Sequence, residues 1–172
     1  GNNVVGISTA KNSLIWWNYN YHGNINLALE TTKETLRLAK NSNDIFIKGV
    51  THTCYGSTLY FKGLFDEAEI HLLEAVDLCK KNSFVVWYAG AAAYLGSIYL
   101  ERGDFENAWS CFEKAAVALK KAKIMPSLIG LLEIQKTKTK TLQNDVSKDL
   151  NMLYSHAYKN KYKNFDGWFS RL

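Results

Sequence analysis

The chain has 172 residues, a formal net charge of +5, 47% hydrophobic residues, one proline and eleven glycines. This length suits one domain with a buried core, and the composition excludes a disordered or collagen-like chain. The three cysteines, Cys54, Cys79 and Cys111, are an odd number without a CxxC pair. They are typical of core residues in a reduced, cytoplasmic compartment and exclude a disulfide framework.

Apolar residues recur at spacings of three and four along the chain, which is the pattern of amphipathic helices. Gly23, Gly63 and Gly103 interrupt this pattern at intervals of 40 residues. We expect each glycine to end a helix in the left-handed conformation, which is costly for other residues. The sequence therefore predicts helices at 7–21 and 25–41, 44–62 and 66–81, 84–102 and 106–122, and 126–142 and 146–162.

Other residue types recur with the same period and predict how the two helices of each unit pack. Small residues should meet where the helices cross, so a larger side chain there would overpack the contact. Asp66 and Asp104 closely follow the second and third glycines and are expected to cap the next helix. The predicted packing positions are Ala28, Ala68, Ala108, Gly56, Gly96, Tyr99 and Phe112.

The order Leu-Gly-x-x-Tyr before Gly103 and Ala-x-x-x-Phe-x-x-Ala after it resembles the tetratricopeptide repeat. This resemblance implies an all-α fold, an α-solenoid of stacked antiparallel helix pairs in a right-handed superhelix. Trp16 stands where later units have glycine, which implies that the first unit packs differently or acts as a cap. The implied single domain, 1–172, contains units at 5–42, 43–82, 83–122 and 123–162, then the start of a truncated helix at 163–172.

Two segments admit a second interpretation. Phe84 to Leu100 carries no charge for seventeen residues, close to the lower limit for a membrane span. Its interspersed glycines, serine and tyrosines favour a buried central helix instead. The alternation from Lys136 to Thr141 is typical of a strand, but its place in the repeat favours a helix.

The sequence contains no phosphate-binding loop, dinucleotide-binding, zinc-protease or nucleophile-elbow motif. His52 and Cys54 form the closest histidine–cysteine pair, but residues two apart on a helix point to different faces. A packed histidine is the favoured interpretation of His52. We therefore predict a protein that is not an enzyme, with no catalytic residue, cofactor or metal site.

In proteins of the tetratricopeptide type, the first helix of each pair lines a concave groove. The resemblance implies a scaffold that binds a peptide segment or a partner domain, including a domain of the same polypeptide, as a regulatory or sensor part of a larger signalling protein. The bulkier aromatic residues could instead pack between units. The implied groove residues are Trp17, Asn20, Tyr21, Thr53, Ser57, Tyr60, Phe61, Ser97 and Glu101.

The C-terminal part suggests an alternative function. Residues 114–172 carry a net charge of +8, and Tyr154, Tyr158 and Tyr162 alternate with lysines. Such a surface suits nucleic acid, but a helical stripe of tyrosines is more typical of a core, so nucleic acid is the disfavoured partner. The last residues, FDGWFSRL, resemble a helix barely begun. We expect a segment of a longer protein whose incomplete last unit favours self-association.

Overall fold

The structure is a computed structural model that describes residues 4–16, 20 and 22–144, and this part of the chain is all-helical, without strands. Each helix packs against the next one along the chain, and α3 also contacts both α1 and α5. The predicted all-α fold of packed helices is confirmed. The helices are α1 (Val4–Leu14), α2 (Ile25–Lys40), α3 (Ile45–Phe61), α4 (Phe65–Lys81), α5 (Val85–Glu101), α6 (Phe105–Ala122) and α7 (Pro126–Asn144).

The first helix differs from its prediction at both ends. It begins at Val4, and its regular part ends at Leu14, seven residues before the predicted end. Ile15 and Trp16 continue it as a wider π turn, and the backbone N–H of Asn20 donates to the carbonyl of Ile15 at 3.1 Å. The predicted helix at 146–162 and the segment 163–172 lie outside the described residues.

The two ambiguous segments are both helices. The uncharged stretch forms α5, which lies at the centre of the packing, and no helix of the described part is long and apolar enough to cross a membrane. In α7 the alternating threonines fit a helix because each hydroxyl donates to the carbonyl four residues earlier, at 2.8–3.0 Å. This local bond satisfies a side chain that would otherwise favour an extended backbone.

The three repeated glycines occupy equivalent turns. Their φ angles are +78°, +78° and +75° for Gly23, Gly63 and Gly103, and a Cβ at any of them would meet no atom within 4 Å. After α3, the N–H of Gly63 donates to Tyr60 and that of Leu64 donates to Leu59, the paired bonds of a Schellman motif. The glycines are therefore required for their backbone conformation and not for space, as predicted.

The links from α4 to α5 and from α6 to α7 use the same left-handed turn without glycine. Ser83 after α4 and Lys123 after α6 have φ angles of +60° and +56°. The N–H of Ser83 donates to Lys80 and that of the next residue, Phe84, to Cys79, which repeats the bonding at the glycines. No residue type in the sequence signals these left-handed positions, so they were not predicted.

Small residues allow the paired helices to approach closely. A Cβ added at Gly56 would lie 2.6 Å from Leu72 Cγ, and one at Gly96 would lie 2.8 Å from Phe112 Cε1. Phe112 and the repeated alanines, Ala28, Ala68 and Ala108, are completely buried. The partner of each glycine is thus the large side chain one turn beyond the repeated alanine.

The helix caps follow the prediction at one of two positions. Asp104 precedes α6 and its carboxylate accepts from the N–H of Asn107 at 3.2 Å. Asp66 does not cap α4, because that helix already begins at Phe65. Its exposed carboxylate instead pairs at 2.6 Å with Arg102, the residue that directly follows α5. The same arginine pairs with Glu69, which also accepts from the Tyr99 hydroxyl, so these groups join two adjacent helix pairs.

We predict that Ser83→Gly stabilises the protein by about 0.5–1 kcal/mol, because glycine adopts a left-handed conformation without the steric cost paid by serine. Urea denaturation followed by circular dichroism measures this change. Asn82→Gly is the matched control: Asn82 has a φ angle of −106° and donates to the Leu78 carbonyl, so its replacement should destabilise. Destabilisation by Ser83→Gly would contradict the assignment of the turn.

Candidate functional site: an aromatic face on helices α1, α3 and α5

One face of α5 carries a row of residues that belong to the candidate site. Trp87, Gly90, Tyr94, Ser97 and Glu101 follow one another at spacings of three or four, so they lie on one side of the helix. This side meets α3 and the end of α1. It is where residues from three helices come together.

Aromatic rings from the three helices form a connected surface. The ring centroid of Trp16 lies 5.4 Å from that of Trp87 and 5.5 Å from that of Tyr94, both edge to face. Tyr94 in turn lies 5.6 Å from both Tyr60 and Phe61. All five side chains are partly exposed. We call this group of Trp16, Tyr60, Phe61, Trp87 and Tyr94 the aromatic face.

The structure brings four of the predicted groove residues together. Tyr60 and Phe61 end α3, and Ser97 and Glu101 lie beside them at the end of α5. Burial raises the pKa of Tyr60, and the carboxylate of Glu101 raises it further, whereas the nearby Ser97 hydroxyl lowers it. Ser97 is itself buried, at 7% exposure, and its hydroxyl donates to the Ala93 carbonyl at 3.0 Å. The accessible part of the site therefore combines aromatic surface with the exposed carboxylate of Glu101.

Tyr60 and Phe61 differ in their surroundings. The Tyr60 ring stacks on Phe65 at 5.6 Å and packs against the core around Leu59 and Leu72. Its removal would therefore disturb the core, as the alternative interpretation of these aromatic residues expected. Among the residues that the structure describes, the rings in contact with Phe61 are those of Tyr60 and Tyr94, both in the aromatic face. Phe61 is thus the better probe of surface function.

Three other predicted groove residues lie in the core. Thr53 and Ser57 are completely buried, and each hydroxyl donates to a carbonyl of its own helix, at 2.9 Å. Asn20 is only 5% exposed and joins α3 through bonds of 3.1 Å with Ser57 and Thr58. Their polar groups form hydrogen bonds inside the protein, so these three residues do not line an accessible surface. Trp17 and Tyr21 lie outside the described residues.

Trp16 takes a position that the sequence did not predict. Its ring lies directly over Gly90 of α5, where an added Cβ would clash with Cη2 of the ring and lie 3.0 Å from Cζ2. The ring also packs against the core cluster that includes Val50 and Cys54 of α3. The sequence feature that could have indicated this position is the break in the repeat, since Trp16 stands where later units have glycine.

Helix α1 packs with its polar side inward. Ser8 and Asn12 are at most 1% exposed, whereas Val5, Ile7 and Leu14 are 42–46% exposed. Asn12 donates to Thr51, but its Oδ1 is buried without a hydrogen-bond partner in the described structure, as is Ser8 Oγ. Buried polar atoms without partners destabilise a packed helix. Helix α1 is therefore less well matched to the core than the other helices.

A histidine pair lies between α3 and α4, away from the aromatic face. The Nδ1 atoms of His52 and His71 are 3.0 Å apart, and the ring of His71 also contacts Tyr55. One nitrogen must donate and the other accept, so the pair can hold this bond with both rings neutral or with one added proton, but not with two. His52 was expected to be a packed histidine, and the ring beside it is that of His71.

The surroundings of the pair oppose protonation. Burial, the neighbouring His71 and the Lys40 charge lower the pKa of His52 from 6.5 to about 4. Burial also lowers the pKa of His71, as does Lys40, while Glu67 and Glu74 act in the opposite direction. Both rings therefore favour the neutral form when the chain is folded.

We predict that stability falls as the pH falls from about 6.5 to about 4. In this window the unfolded chain binds more protons at the pair than the folded chain does, which lowers the free energy of unfolding by roughly 1–3 kcal/mol. Urea denaturation across this pH range measures the slope. His52→Gln, whose amide can still bond to His71, should give a shallower slope, and an unchanged slope would contradict the assignment.

The basic side chains of α7 are engaged in packing. Lys136 is 8% exposed and forms ion pairs with Glu113 and Glu133. Its Nζ lies 4.9 Å from the ring centroid of Trp109, and that of Lys140 lies 4.3 Å from the same centroid. These two lysines join α6 to α7; Lys136 is buried among its partners, whereas Lys140 remains exposed. The tyrosine-rich stretch from Tyr154 to Tyr162 lies outside the described residues.

The described residues offer no evident reactive centre. They contain no group of three or more histidine, cysteine or acidic side chains that could hold a metal ion. Burial raises the pKa of Cys79 and Cys111 to about 11, and that of Cys54 further, so the thiols are protonated at neutral pH. A cleft of about 430 Å³ between α4, α5 and α6 includes Cys79, Tyr88, Glu113 and Lys114 in its wall. It places none of these groups in a catalytic arrangement.

Comparison with known proteins yields no matching family model and no significant match among curated proteins.

Proposed function

We propose that the chain is a non-enzymatic interaction scaffold that binds a peptide segment or partner domain on the aromatic face. The observation that carries this proposal is the continuous set of partly exposed rings from Trp87 to Phe61. Aromatic side chains supply large contact areas at low entropic cost and dominate binding energy at interfaces. A peptide is favoured because the rings follow the row of helices as a strip.

We further propose a solenoid of the tetratricopeptide type. Helices α2, α4 and α6 begin at Ile25, Phe65 and Phe105, again at intervals of 40 residues. Helix α3 contacts both α1 and α5, whereas α2, α4 and α6 have no comparable contacts with one another within the described part. This arrangement supports curvature with the odd-numbered helices on the concave side, where the aromatic face lies. A cytoplasmic, regulatory role in a signalling protein is the corresponding proposal for the whole molecule.

An acidic group at one end of the aromatic face suggests how a peptide would be oriented. The exposed Glu101 follows Tyr94 along α5, beyond the buried Ser97. A carboxylate at the end of an aromatic strip suits a peptide whose apolar side chains are followed by a basic residue. The nucleic-acid alternative has no comparable observation in its favour, since Lys136 is buried in ion pairs with Glu113 and Glu133.

Photo-crosslinking tests the proposal. We predict that p-benzoylphenylalanine at position 61 forms an adduct with a partner in native cell extract, and that excess unlabelled protein competes with it. The matched control carries the same group at Ile70, an apolar residue of α4 that is 67% exposed. Equal adducts at the two positions, or adducts at 70 alone, would contradict binding on the aromatic face.

A further inference from the structure

Trp16 is held in a notch that has the shape of a binding site. The floor of the notch is Gly90, and its sides are the rings of Trp87 and Tyr94, one helical turn away in each direction. The absence of a side chain at residue 90 creates the space, because a Cβ there would overlap the Trp16 ring. Both flanking rings meet Trp16 edge to face, an arrangement that selects for an aromatic guest.

The element that carries Trp16 is weakly matched to its site. Helix α1 buries Ser8 and Asn12, leaves Val5, Ile7 and Leu14 exposed, and loses its regular geometry at Ile15. The notch itself belongs to α5, whose other faces pack against α4 and α6. A weakly docked element opens at lower free energy than the body on which it lies. The notch can therefore be vacated without loss of the helices that form it.

We propose that the Gly90 notch is a receptor for an aromatic side chain, tryptophan above all, of a partner peptide, and that Trp16 occupies it in the absence of that partner. This inference rests on the proposed scaffold function and specifies the residue that the aromatic face recognises. Trp16 competes as a tethered ligand at high effective concentration. The affinity of the wild-type chain for a partner is then reduced by the small fraction of molecules in which the notch is open.

The test uses N-acetyl-L-tryptophanamide as the probe and Trp16→Ala as the variant with an open notch. We expect this variant to bind the probe at least about tenfold more tightly than the wild type does. The measurement is the shift of the Gly90 amide resonance during NMR titration. N-acetyl-L-leucinamide should cause a much smaller shift, and adding Gly90→Ala to the variant should abolish binding. Equal weak binding by the variant and the wild type, or binding that survives Gly90→Ala, would overturn the proposal.

Gly90→Ala in the wild-type chain provides a second test that does not depend on the folding of Trp16→Ala. The added methyl group should expel Trp16, so amide hydrogen exchange should accelerate at least about tenfold in α1 and remain unchanged in α5 and α6. Equal acceleration in all helices would show that Trp16 is an ordinary core residue and would overturn the proposal. Crosslinking at Phe61 reports binding on the aromatic face whether or not Trp16 leaves the notch, so the scaffold function and the notch can fail separately.

Discussion

The contact between a glycine of one helix and a large side chain of the next sets the distance between α3 and α4 and between α5 and α6. Gly56 faces Leu72 and Gly96 faces Phe112, with no room for a methyl group in either case. This close approach aligns the turn at the following glycine and the start of the next helix. Where the first unit has Trp16 in place of glycine, that side chain points elsewhere and crosses to α5. One substitution in the repeat thus accounts for the altered packing of the first helix.

Much of the fold could be predicted because its signals are local. Glycine at a left-handed turn, alanine at a helix crossing and apolar spacing of three and four are properties of single turns of chain. They located most helix boundaries to within a few residues. Ser83 and Lys123 adopt the same left-handed turn, but neither residue type is selective for it, so only the structure could reveal them.

The candidate site was less predictable because it depends on contacts between distant helices. Thr53 and Ser57 were assigned to a groove from their place in the repeat, by resemblance to the tetratricopeptide type, yet bonds to their own helix backbone allow complete burial. Tyr60 and Phe61 are adjacent in sequence, but one packs on Phe65 and the other lies on the aromatic face. Sequence spacing shows which residues share one side of a helix. Whether that side is covered or exposed depends on how the neighbouring helices pack.

The central claim, that glycine sets the helix spacing, is tested most directly by a double-mutant cycle between Gly96→Ala and Phe112→Leu, with stability measured by urea denaturation. Our account predicts that Gly96→Ala alone lowers the free energy of unfolding by about 1–3 kcal/mol, because overpacking outweighs the gain in helix propensity. With Phe112→Leu, the same change should cost at least about 1 kcal/mol less, since the smaller side chain makes room. Stabilisation by Gly96→Ala alone, of about 1 kcal/mol as for an unconstrained helix glycine, would contradict the account.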